Sequence, residues 1–189
     1  VRKSRSELGL PEGKLAVVPQ SIFKVLPIND PIYAQLLDGD GDLRIAFFGA
    51  DLTAHAARFR ERLARAVGPA AAKRLHFLPE LSRIGFLETI AACDLMIDTL
   101  GWSGGNSALD ALRSGLPIVT CPGEFMRGRQ CATMLRLLGV QGAEASSADA
   151  LARLALQRIG DTDFRADFRS RVERGLDDLV NDAACDRAL

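Results

Sequence analysis

Short apolar runs alternate along this chain with longer stretches whose apolar residues recur every three or four positions. The runs Leu15–Pro19, Leu43–Phe48, Leu75–Leu78, Leu95–Asp98 and Pro117–Thr120 are too short for helices and read as buried strands. A short sixth strand is expected near Gly139–Gln141. Helices are predicted over Ala54–Val67, stopped by Gly68-Pro69, over Ile84–Ala92, and over Asn106–Ser114, stopped by Gly115. Further helices are predicted over Arg127–Leu138, Ser147–Ile159 and Asp163–Val180, and Ser146-Ser-Ala-Asp149 resembles a capping box. Strands alternating with helices predict an α/β fold, a doubly wound Rossmann-like parallel sheet. We expect residues 1–160 to form this domain and residues 161–189 a charged helical extension. A sheet of this kind binds its ligand at the carboxyl ends of its strands.

The segment Asp98-Thr-Leu-Gly-Trp-Ser-Gly-Gly-Asn-Ser-Ala-Leu-Asp110 stands at such an end, between the fourth strand and a helix. The first N–H groups of a helix have no partner inside it and make an anion site. Gly104 and Gly105 let a phosphate approach the backbone. Asn106 and Ser107 are suitable N-cap residues and neutral donors to phosphate oxygen. Asp110, one turn further in, places a carboxylate where it reaches ribose hydroxyls. The same spacing equally fits a plain capped helix after a tight turn.

Composition narrows the partners. Of 189 residues, 48% are hydrophobic, enough for a core; 24 basic and 24 acidic residues cancel, which argues against binding nucleic acid through bulk charge. No apolar run reaches the roughly 18 residues of a membrane span. The opening Val1-Arg-Lys-Ser-Arg-Ser has no apolar signal core and reads as the middle of a longer protein. Cys93, Cys121, Cys131 and Cys185 form no CxxC pair and are expected as free thiols in a reducing cytoplasm. His55 and His76 have no ligand-like spacing to them, so no zinc site is expected. The tract Asp38-Gly-Asp-Gly-Asp42 hints at a calcium loop, but Leu43 and Gly49 stand where that loop needs Gly and Glu. It reads as a solvated turn between a helix and the second strand. The phosphate-loop, GxGxxG and GxSxG patterns are absent.

Four strand ends carry the polar groups that remain: Val18-Pro-Gln-Ser-Ile-Phe-Lys24, His76-Phe-Leu-Pro-Glu-Leu-Ser-Arg83, the turn from Asp98, and Thr120-Cys-Pro-Gly-Glu-Phe-Met-Arg-Gly-Arg129. In a parallel sheet they line one edge, and together they suit a nucleotide diphosphate. From Arg5 to about Val140 the chain resembles the C-terminal, donor-binding half of the O-GlcNAc transferase and SPINDLY-like glycosyltransferases, which have the two-domain GT-B fold. The specific parts are Pro19–Lys24, the Asp98–Asp110 motif, and Gly115-Leu-Pro-Ile-Val-Thr-Cys-Pro-Gly-Glu124. The tail after Gly142 matches loosely.

The resemblance implies roles. Lys24 matches the lysine that contacts the donor pyrophosphate and neutralises the leaving nucleotide, with Gln20 and Ser21 beside it. Asn106 and Ser107 stand where the family often has two threonines on phosphate oxygens. Asp110 matches the ribose-binding aspartate. Arg83 stands for a lysine on the nucleoside, and Phe86 for a histidine near uracil, where it stacks on the base or belongs to the core. Gly105 replaces a histidine and Trp102 a small residue, which leaves the sugar open.

The implied reaction is an inverting transfer of GlcNAc or another hexose from a UDP-sugar to a protein Ser/Thr hydroxyl, without metal or other cofactor. The protein acceptor would be presented by an acceptor domain and helical repeats that lie outside the chain, so the chain reads as a donor-binding fragment. One rival is a UDP-GlcNAc 2-epimerase-like isomerase. It is disfavoured because Ser103-Gly-Gly105 is not followed by paired glutamates. Another rival is a nucleotide-sugar-binding module without catalysis.

Overall fold

All five main strand expectations are met, and burial on both faces explains why they read as unbroken apolar runs. The computed structural model describes residues 3–49 and 53–181. Strands β1 (Lys14–Val18), β2 (Leu43–Phe47), β3 (Leu75–Phe77), β4 (Leu95–Ile97) and β5 (Ile118–Val119) form one parallel sheet in the order β3-β2-β1-β4-β5. The helices are α1 (Asp30–Gly39), α2 (Ala54–Val67), α3 (Pro69–Ala72), α4 (Arg83–Ala91), α5 (Asn106–Ser114), α6 (Gln130–Leu137), α7 (Ala148–Arg158) and α8 (Thr162–Val180).

Alternate strand residues feed two cores. Ala16, Val18, Ile45, Phe47 and Ile97 face α1, α2, α3 and α7. Leu15, Val17, Ala46, Met96 and Ile118 face α4, α5, α6 and α8. The sheet is therefore doubly wound. α8 returns to the second layer, burying Phe164, Phe168 and Val172 beside α5 and α6. None of the described helices is long and apolar enough to cross a membrane.

Two local expectations are corrected. No strand forms at Gly139–Gln141; the chain meets the sheet only at an isolated parallel bridge between Thr120 and Glu144. Gly139 and Gly142 both take left-handed backbone, with φ of 67°, which an extended strand cannot contain. The helix expected from Arg127 starts instead at Gln130, after a 3-10 turn over Met126–Gly128. The carbonyls of that turn are committed elsewhere: Arg127 O accepts from Ser103 N and Gly128 O from Gly123 N, each at 2.7 Å.

The order of strands fixes where a ligand fits. From β1 the chain passes over one face to β2, and from β4 it passes over the other face to β5. The loops after β1 and β4 therefore diverge, which opens a crevice between two hydrogen-bonded neighbours.

Candidate functional site

The loop after β4 is built around a buried acid. Asp98 ends the strand at 2% exposure. Its Oδ2 accepts from Ser103 Oγ at 2.6 Å and Thr120 Oγ1 at 2.7 Å, and its Oδ1 from Gly104 N at 2.8 Å. Ser103 Oγ in turn accepts from Cys131 N at 3.0 Å, and Cys131 Sγ reaches Gly104 O at 3.4 Å. One carboxylate thus joins the ends of β4 and β5, the glycine turn and the start of α6. Burial pushes the Asp98 carboxyl above the usual aspartate range, while the hydroxyl and amide donors pull the other way. Burial likewise pushes the Cys131 thiol up, with the nearby Asp98 adding to it.

This network aims the start of α5. Its N-cap is Gly105, with no side-chain cap; Asn106 and Ser107, expected as caps, are the first residues inside the helix. Ser103 is already committed to Asp98, and Gly104 donates its N–H to the same carboxylate, so neither caps the helix end. The N–H groups of Gly105, Asn106 and Ser107 have no partner among the described residues. They form an outward-facing anion site. Gly104 serves close packing: a Cβ there would stand 2.9 Å from Gln20 Nε2 and 3.0 Å from Met96 Cε. Gln20 is 3% exposed, and its Nε2 has no hydrogen-bond partner among the described residues.

Lys24 approaches from the loop after β1. Its Nζ lies 5.5 Å from the centroid of the Trp102 ring, and the Arg127 guanidinium carbon lies 5.9 Å from the same centroid. Ser21, Arg83, Phe86, Ser107 and Asp110 share a neighbouring cleft of about 530 Å³, within the range of small-molecule sites. Arg83 grips Asp110 with two N–H groups at 2.5 Å, and the Asp110 side chain is only 4% exposed. Phe86 is half-buried, tilted against Phe48 with ring centroids 4.8 Å apart. A smaller crevice of about 250 Å³ lies along Ile22, His55, Arg58 and Arg62, sharing Phe23 with the cleft. It holds none of the residues singled out for donor binding, so the cleft beside α5 carries the functional reading.

The geometry can hold a diphosphate at the helix start with a nucleoside in the cleft. No family model matches the chain. A UDP-N-acetylglucosamine–peptide N-acetylglucosaminyltransferase of Giardia intestinalis is 28% identical over 109 residues, 57% of this chain and 7% of that protein. An O-GlcNAc transferase of Thermobaculum terrenum superposes with a TM-score of 0.78 at 25% identity, over 86% of this chain and 31% of that one. The chain is O-GlcNAc transferase-like and has the fold of one half of a GT-B glycosyltransferase. At the level of fold alone, Anabaena HepE in complex with UDP and glucose superposes with a TM-score of 0.66 at 21% identity, over 92% of this chain and 46% of that one. The chain thus spans less than half the length of each of these proteins.

Of the singled-out residues, the cleft gathers Ser21, Arg83, Phe86, Ser107 and Asp110. Lys24 and the exposed Asn106 stand outside its lining, while Gln20 and Gly104 are buried beneath the turn. The sequence assigns Asp98 no task beyond opening the motif. The available signal was an acid closing a fully apolar strand, a costly place for an unpaired charge. Cys93, Cys121 and Cys131 are free thiols, and Cys185 lies outside the described residues. His55 sits on α2 in edge contact with Phe23, and His76 lies in β3.

Proposed function

We propose that this chain binds the nucleotide diphosphate of a UDP-sugar and promotes departure of UDP during an inverting transfer of the sugar to a protein Ser/Thr hydroxyl. The observation that carries the reading is the meeting, at the β1/β4 crevice, of an uncapped α5 with Lys24 on one side and a nucleoside-sized cleft on the other. The diphosphate would accept from the N–H groups of Gly105, Asn106 and Ser107, with Ser21 and the Ser107 hydroxyl beside it. Gln20 would supply the orphaned amide donor under the turn. The Asp110–Arg83 pair would take the ribose and nucleoside, and Phe86 the base.

The chemistry follows from where charge grows. The bond between the anomeric carbon and the β-phosphate oxygen breaks, and its electron pair stays on that oxygen. The acceptor oxygen bonds to the carbon from the opposite face and loses its proton on the acceptor side of the cleft. The helix start would hold the diphosphate throughout, and the lysine beside it would answer the charge that grows on the leaving oxygen, so that the transition state is favoured over the bound donor. In this proposal they take the part that a metal ion plays in other nucleotide-sugar sites.

Calorimetry in EDTA-containing buffer tests the reading. UDP is expected to bind. Tighter binding of GDP would overturn the base assignment, and no binding of either at millimolar concentration would overturn the nucleotide reading itself.

A further inference from the structure

We propose that Trp102 is the platform on which the transferred sugar rests, so that the donor's sugar is a pyranose bound through a C–H face. The inference rests on the nucleotide-diphosphate reading above.

Trp102 is 43% exposed, and its backbone is tightly held. Its carbonyl accepts from Thr99 Oγ1 at 2.6 Å, and the next residue's N–H donates to Arg127 O at 2.7 Å. That next residue, Ser103, is also tied to the buried Asp98. The indole is therefore presented from a rigid base. Phe125, 61% exposed, lies beside it through the shared Arg127, whose guanidinium carbon is 5.1 Å from the Phe125 ring.

The aromatic face is electron-rich and attracts cations and polarised C–H bonds alike. The Lys24 ammonium uses that face at 5.5 Å. A diphosphate would offer this ammonium oxygen partners instead and release the ring. The sugar is joined to the β-phosphate through a single oxygen. A donor whose β-phosphate meets Lys24 therefore carries its pyranose to within about one ring's width of the indole. Arg127, held on the ring and donating from Nε to Gly101 O at 3.3 Å, has further N–H groups for sugar hydroxyls.

Trp102 is the sole tryptophan, so its emission reports on this ring alone. The protein is titrated with UDP, UDP-glucose and UDP-N-acetylglucosamine, with acrylamide as quencher. At least one UDP-sugar is expected to shield the ring at least about twofold more than UDP does, the stacked pyranose covering a face that UDP leaves open. By calorimetry, Trp102→Ala is expected to lower the preference for that UDP-sugar over UDP on the order of tenfold, the scale of one aromatic contact. Trp102→Phe, which keeps a flat aromatic face, is expected to retain most of the preference. Equal shielding by UDP and both UDP-sugars, or a preference unchanged in Trp102→Ala, would overturn the platform while leaving the nucleotide reading intact. No UDP binding at all would overturn both.

Discussion

The two loops that meet over the β1/β4 crevice are held in opposite ways. The turn after β4 is locked: Asp98 accepts three hydrogen bonds from two hydroxyls and an amide, and the helix beyond it points uncapped N–H groups outward. The loop after β1 ends in Lys24, whose ammonium touches an indole face. Fixed dipoles suit charge that is present throughout, such as the ground-state diphosphate. A cation on a long side chain, parked on a ring and in no ion pair among the described residues, is available for charge that appears late. The locked turn would then set affinity, and Lys24 would set rate.

The sharpest way to break this contrast is Lys24→Ala in the protein that carries this domain. Turnover is expected to fall by a barrier increase of about 2–4 kcal/mol, or roughly 30- to 1,000-fold, with a smaller change in donor affinity. Steady-state kinetics with a UDP-sugar reads the split. A raised Michaelis constant at wild-type turnover would make Lys24 part of uniform binding instead.

Asp98→Asn sharpens the other side. The new amide would present N–H groups to two hydroxyls that now donate, and Ser103 Oγ already accepts from Cys131 N. A loss of about 1–3 kcal/mol in unfolding free energy is expected in mildly acidic buffer. The pH trend follows from burial holding the Asp98 carboxyl above its unfolded range. A group raised in this way contributes stability that is complete below the unfolded value and fades as pH rises through the folded one. The gap between wild type and Asp98→Asn should therefore narrow with rising pH in denaturant titrations. A widening gap would mean that the three donors outweigh burial and hold Asp98 as an anion.

The smallest effect is expected at Tyr33→Phe. Tyr33 is fully buried, and its hydroxyl has no partner among the described residues, the reverse of Asp98. Removing an unpaired polar atom is expected to leave stability within about 0.5 kcal/mol of wild type or to raise it. A thermal melt showing a clear loss would reveal a partner for that hydroxyl and weaken the contrast between satisfied and orphaned groups.

Much of this molecule was legible in order of residues. Fully apolar runs bounded by turn residues located the strands, because burial on both faces leaves no polar alternation to misread. The helix start at Asn106 and its end before Gly115 were equally plain. The segment from Arg127 to Gly142 was not: its helical period ran on through residues whose carbonyls are claimed from outside the helix, by Ser103 and Gly123. Gly104 has a tertiary neighbour that its spacing does not show, the Gln20 amide from the loop after β1.

The sequence by itself determined the alternation of strands and helices, and therefore a parallel, doubly wound sheet whose strand ends carry the polar loops. Those are consequences of local periodicity and of the need to bury apolar faces. Only the tertiary structure decided which strand ends are neighbours. The order β3-β2-β1-β4-β5 puts Lys24 beside Trp102 and Arg83 onto Asp110, across 78 and 27 positions of chain respectively. Those contacts depend on the directions of the crossovers and on one buried carboxylate that joins four segments, and neither leaves a periodic trace along the chain.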